Sequence, residues 1–293
     1  MAEEEPAKEE PKAEEEAPKE DEAADADVAE KEEQPAASED AGKQEAEKPA
    51  EAEQPKEEAK EEKKEEAEPA KPPAEYQVYY WQGLGGGRAG VVRLCLALCQ
   101  VEWEEANKGK DKASIAAAAG VKGAKNKGFP NFAYPILVHN KGGDTEHPVI
   151  VSQAAAICEY ILSENGYEIE DRMDRIYALQ TALTVWDAWS EFYGKMNHFL
   201  GFEKWIDSRI ASYLDVLEAQ LSRHKEGAEW FYGEKPSIAD VFLVDLMRRY
   251  RNEKEQHYKD NKHKLLKGLV ERFEALPQIK KFIESEEYKQ GCT

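Results

Sequence analysis

The first 75 residues contain no Phe, Trp, Tyr, Leu, Ile or Cys, and Met1 and Val28 are their only large apolar side chains. So little apolar area cannot offset the ordering of a backbone, roughly 1–2 kcal/mol per residue. A packed domain is therefore excluded over residues 1–75. The segment instead carries 30 Asp and Glu against 11 Lys and Arg, a net charge of −19, and nine of the chain's 14 prolines. Those prolines interrupt an Ala/Glu/Lys composition that otherwise favours helix, leaving only "EEAKEEKKEEAE" room for a transient one. The segment reads as a disordered, self-repelling acidic spacer; the sharper alternative is a tether for a basic partner surface.

The 293-residue chain holds 61 acidic and 40 basic residues, so residues 76–293 keep 31 and 29, a net of −2. From the net charge of a nearly neutral body no basic surface for nucleic acid can be argued, and none is expected. No window approaches the ~20 apolar residues of a membrane span, and the first residues lack the basic start and apolar core of a secretory signal. Cys95, Cys99, Cys158 and Cys292 form neither CxxC nor a zinc spacing, and the six histidines show no ligand spacing, so no metal is expected. Cys95 and Cys99, four apart in an apolar run, read as core. The expected compartment is the reducing cytoplasm.

What is present is ordered along the chain. "YQVYYW" (76–81) reads as a strand, "GLGGGRAG" (83–90) as a turn and "VVRLCLALCQV" (91–101) as a helix, with "EWEE" a short second strand. Residues 106–128 read as a loop with one weak helix, rich in lysine at 108, 110, 112, 122, 125 and 127. The hairpin "PILVHNKGGDTEHPVIV" follows, and "QAAAICEYILSENG" is a helix ended by Gly166. Beyond residue 167 only helical spacing remains. Ile176, Leu179, Leu183, Trp186, Trp189 and Tyr193 recur at three- and four-residue intervals over 172–200, and "KPSIADVFLVDL" opens with Ser237 and Asp240 as a capping-box relative. The expectation is an α/β domain over 76–166 and an all-α domain over 167–293.

In that order, "YYWQGLGGGRAGVVRLCLAL", "FAYPIL", "SQAAAICEYI" and "PSIADVFLVDL" resemble the cytosolic glutathione transferases of the tyrosine type. The resemblance covers about residues 76–288 and implies a thioredoxin-like domain followed by a helical one. It implies a cis bond at Tyr134-Pro135, whose outward-turned main chain pairs with glutathione like an added strand. It implies Tyr80 as the hydroxyl that stabilises the glutathione thiolate, with core packing as the alternative role for that ring. Gln153 and Ala154 would meet the γ-glutamyl carboxylate, and Arg88 would face the site or solvent. Trp186, Trp189 and Tyr193 would line an apolar electrophile pocket or the core, on a helix that in the family also serves a homodimer interface.

Two departures stand out. The turn is longer and richer in glycine than is common in the family, and Ala154 replaces its usual Ser or Thr. Losing a charge-assisted hydroxyl bond there is worth roughly 1.5–3 kcal/mol. The first expectation is a transferase conjugating glutathione to apolar electrophiles; the rival is an interaction module of the same fold, tethered by the acidic tail. A thiol-disulfide reductase requires a cysteine at the turn, and Cys95 and Cys99 lie within the helix instead.

Overall fold

The computed structural model describes residues 74–80, 86–106, 116, 117, 119–196, 208–224, 227, 229–286, 288 and 289, with the helix path alone for 193–196. The acidic segment 1–73, Cys292 and the lysines at 108, 110 and 112 lie outside the described residues.

Strands β1 (Tyr76–Tyr79), β2 (Trp103–Glu105), β3 (Ile136–His139) and β4 (Val149–Ser152) form one sheet in the order β2-β1-β3-β4. β1 and β2 run parallel through the crossover helix α1 (Gly90–Leu98), while β3 is antiparallel to both β1 and β4. All four β3 residues are buried, as the unbroken run Ile-Leu-Val-His suits a central strand. Helix α2 (Ala154–Glu164) starts two residues after β4 ends and packs against α1. This is the expected thioredoxin-like domain.

Its ordered contacts reach back before Tyr76. The Asn140 N–H donates to the Glu75 carbonyl at 2.7 Å, and its side-chain amide donates to the Ala74 carbonyl at 3.0 Å. The buried His139 ring stacks on Tyr76 with centroids 4.1 Å apart, its nitrogens 2.8 Å from the Tyr160 hydroxyl and 3.2 Å from Glu75.

Among the described residues, the helical part holds α3 (Arg172–Met196), α4 (Ile210–Ser222), α5 (Ile238–Glu253), α6 (Glu255–Asp260), α7 (Lys264–Glu274) and α8 (Pro277–Ile283). α5 is its axis, packed against α3, α6 and α7 and also against α1 of the first domain. The capping box expected at its start is present: Asp240 accepts the Ser237 N–H at 2.7 Å and hydroxyl at 2.6 Å, and the Phe231 N–H at 2.9 Å. Burial pushes the Asp240 carboxyl up to about 6, against the opposing pull of these donors.

α3 departs from a single apolar stripe. Ala178, Ala182, Val185, Ala188 and Trp189 are buried, whereas Ile176, Leu179 and Leu183 are 44, 40 and 45% exposed. The helix is apolar on two faces; the small residues let α5 approach closely, and the large ones are left outside.

Candidate active site

The sheet register assembles the site. Ile136 pairs with Tyr79 on one side and with Ser152 on the other. The residues just past those pairs, Tyr80 after β1, Tyr134-Pro135 before β3 and Gln153-Ala154 after β4, therefore meet at one edge of the sheet. The Tyr134-Pro135 bond is cis. Tyr80 and Tyr134 line a cleft of about 790 Å³ together with Arg88, Lys122, Asn131 and Phe132.

Tyr80 is 5% exposed, and its hydroxyl oxygen accepts the Arg88 N–H at 2.8 Å. A phenol that accepts a hydrogen bond still has its own proton to donate, which is what an anion in the cleft requires. Tyr79, one residue earlier, is buried outside the cleft lining, and burial pushes its phenol up.

The glycine-rich turn now has a physical reason at two positions. Gly87 has φ +46°, and a Cβ there would lie 2.5 Å from the Tyr80 hydroxyl oxygen. Gly90 begins α1, and a Cβ on it would lie 2.7 Å from both Arg249 Nη2 and Asp245 Oδ1 of α5. Residues 81–85, which include the first three of the turn, lie outside the described residues. Arg93 secures the turn from behind, pairing with Glu105 at 2.6 and 2.8 Å and donating to the Gly86 carbonyl at 3.3 Å.

Two cations, Arg88 and Lys122, line the cleft. Arg88 is exposed, with its guanidinium carbon 5.9 Å from the Trp186 ring centroid, and the Lys122 ammonium sits 4.5 Å over the Tyr134 ring. Lys125 and Lys127 are exposed on the same loop, which also presents Phe129 and Phe132, 82 and 90% exposed. Gln153 is exposed at φ +73°, ψ +122°, a conformation rare for a non-glycine residue, and makes no side-chain cap to α2. Ala154 follows as the buried first residue of that helix, whose N-terminal amides favour negative charge. Both sit at the shared sheet edge but outside the cleft lining.

Trp186 and Trp189 stack with centroids 4.9 Å apart and planes 6° from parallel. The structure gives them different surroundings: Trp186 is half-buried beside Arg88, while Trp189 is buried beneath Arg249, whose guanidinium carbon is 5.5 Å from its centroid. The Tyr193 side chain lies outside the described residues.

Asp245 and Arg249 were missed by sequence reasoning. They form an i,i+4 pair at 2.8 Å, and Arg249 Nη2 donates to the Gly87 carbonyl at 3.1 Å across 162 residues of chain. The only signal was an acid–base pair at helical spacing, common on any solvated helix face. Burial pushes the Cys95 and Cys99 thiols well above their ordinary range, away from the thiolate form that a nucleophile requires.

Residues 169–286 match the family described as Glutathione S-transferase, C-terminal domain. The chain is 26% identical over 203 residues to "Glutathione S-transferase P 1" of Xenopus laevis, covering 68% of this chain and 88% of that protein. In structure it resembles a Pi-class glutathione S-transferase of Onchocerca volvulus with a TM-score of 0.58 at 20% identity, over 72% of this chain and 92% of that one. The glutathione S-transferase of Ascaris lumbricoides is similar at a TM-score of 0.54 and 19% identity, over 71% of this chain and 96% of that one.

Proposed function

Given that the chain belongs to the glutathione S-transferase family, we propose that it conjugates the thiolate of glutathione to apolar electrophiles in the cytoplasm. The observation that carries this reading is the Tyr80 hydroxyl, held by the Arg88 N–H in the cleft that Tyr134 also lines. A free thiol is only a few per cent ionised at neutral pH, and a phenol donating to sulfur favours the nucleophilic anion. The tripeptide lies along the Tyr134-Pro135 edge. Its γ-glutamyl carboxylate points to Gln153 and the amide of Ala154, and Arg88 attracts the charged peptide. The electrophile occupies the side of the cleft toward Trp186, on the helix that carries Trp189 and Tyr193. No metal takes part.

The exposed apolar face of α3, with Met173, Ile176, Tyr177, Leu179 and Leu183, supports a homodimer. One observation favours the rival reading of an interaction module: Ala154 supplies no hydroxyl where the carboxylate would sit. The acidic segment would then tether a basic partner. Retention of the full chain on immobilised glutathione, with conjugation of a chlorinated aromatic that falls tenfold or more in Tyr80→Phe, is the result expected of the enzyme. No retention at millimolar glutathione would favour the module instead.

A further inference from the structure

The Gly87 carbonyl and the Arg88 N–H belong to one peptide group. Arg249 Nη2 donates to that carbonyl at 3.1 Å, and the N–H donates to the Tyr80 hydroxyl oxygen at 2.8 Å. We propose that Arg249 is a positioning residue for Tyr80, acting through this single peptide group: the helical domain's cation polarises the Gly87–Arg88 amide and so strengthens Tyr80 as a donor to sulfur. This rests on the assignment of Tyr80 given above and adds to it a residue from the other domain.

The physics is that of linked hydrogen bonds. A charged donor on a carbonyl oxygen withdraws electron density along the amide, and its N–H becomes a stronger donor. A stronger donor on a phenol oxygen stabilises negative charge there and makes the phenol's own O–H the better donor. The geometry is built to hold the first link. Asp245 grips Arg249 at 2.8 and 3.3 Å, the Trp189 ring lies 5.5 Å beneath its guanidinium carbon, and the pair is largely buried. The glycines fit the same relay: a Cβ at 87 would strike Tyr80, and one at 90 would strike Arg249 and Asp245.

Other charges face Tyr80 as well. Arg88 and Lys122 share the cleft with it, as does the Tyr134 phenol, and Arg93 with its partner Glu105 reaches the Gly86 carbonyl. The test must therefore separate a relay from a through-space field. Replacing the pair together, Asp245→Asn with Arg249→Met, leaves the net charge unchanged and every other group in place, but removes the donor on the Gly87 carbonyl.

The full chain, labelled with 13C at the tyrosine ζ carbons and assigned with Tyr80→Phe, reports the Tyr80 phenol titration whether or not glutathione binds. The phenol is expected to titrate at least about half a pH unit higher in the paired variant. The thiol of bound glutathione should shift upward in the same variant, but not when the pair is replaced in a Tyr80→Phe background. A folded paired variant with an unchanged Tyr80 titration, or an equal thiol shift in both backgrounds, overturns the relay. Failure of the Tyr80 assignment is a different result: Tyr80→Phe alone leaves the bound thiol where it was. Should the paired variant not fold, Asp245→Asn with Arg249→Leu carries the same expectation and the same overturning result.

Discussion

Gly90→Ala is expected to destabilise this chain, although the same change at the start of a helix ordinarily stabilises. Replacing glycine by alanine within a helix gains up to about 1 kcal/mol from the backbone. Here the added carbon lands 2.7 Å from both Arg249 Nη2 and Asp245 Oδ1, well inside van der Waals contact. Both atoms end flexible side chains, so the clash looks cheap to relieve until their partners are counted. Each is held by the other, and Arg249 is also held by the Gly87 carbonyl. Moving the pair forfeits charge-assisted hydrogen bonds of about 1.5–3 kcal/mol; moving α1 instead overpacks the domain junction by about 1–3 kcal/mol. Set against the gain, either loss leaves a net destabilisation of up to about 2 kcal/mol, or a fall in Tm of up to about 8 °C for a body of this size, read by calorimetry of the full chain. With Asp245→Ala and Arg249→Ala already made, the obstacle is gone and Gly90→Ala should raise Tm. A rise in Tm from Gly90→Ala in the otherwise unaltered chain would refute the packing argument.

Ala154→Ser restores a hydroxyl at the first residue of α2 and should lower the KM for glutathione tenfold or more, from about 1.5–3 kcal/mol of bonding; an unmoved KM places the carboxylate elsewhere. Asp240 titrates near 6 when folded, above an ordinary unfolded Asp near 3.9. The folded chain therefore binds this proton more tightly, and stability contributed below about pH 4 is lost as pH rises through about 6, by up to about 3 kcal/mol. Denaturant titrations should show that slope and Asp240→Asn should abolish it; an unchanged slope in the variant would assign it to other groups. Leu183→Glu, on the exposed α3 face, should halve the mass measured by light scattering, and an unaltered mass would remove that face from the dimer interface.

Local chemistry was legible in the sequence, and contacts between distant elements were not. The capping box at Ser237 and Asp240 is a four-residue pattern, and it stands as read. The cis bond at Tyr134-Pro135 was implied by the resemblance of "FAYPIL" to the family's strand, and it is present. The alternation along "YQVYY" separated Tyr80 from Tyr79, and only the former lines the cleft. The apolar spacing of α3 was visible, but not which of its faces is covered, because a small buried residue and a large exposed one look alike to a periodicity count. The glycines of the turn were visible only as a departure from the family's usual length and composition. Their cause lies in Tyr80 and in a pair some 160 residues later on α5, which no local pattern can reveal.

The ionisation of glutathione's thiol on the full chain, followed by thiolate ultraviolet absorbance across pH, bears on Tyr80 without intervening assumptions. The bound thiol should titrate at least about one unit below its free value near 8.5, and return toward that value in Tyr80→Phe. A bound thiol that titrates as in free solution, or one lowered equally with and without the Tyr80 hydroxyl, would contradict the thiolate-stabilising role assigned to it.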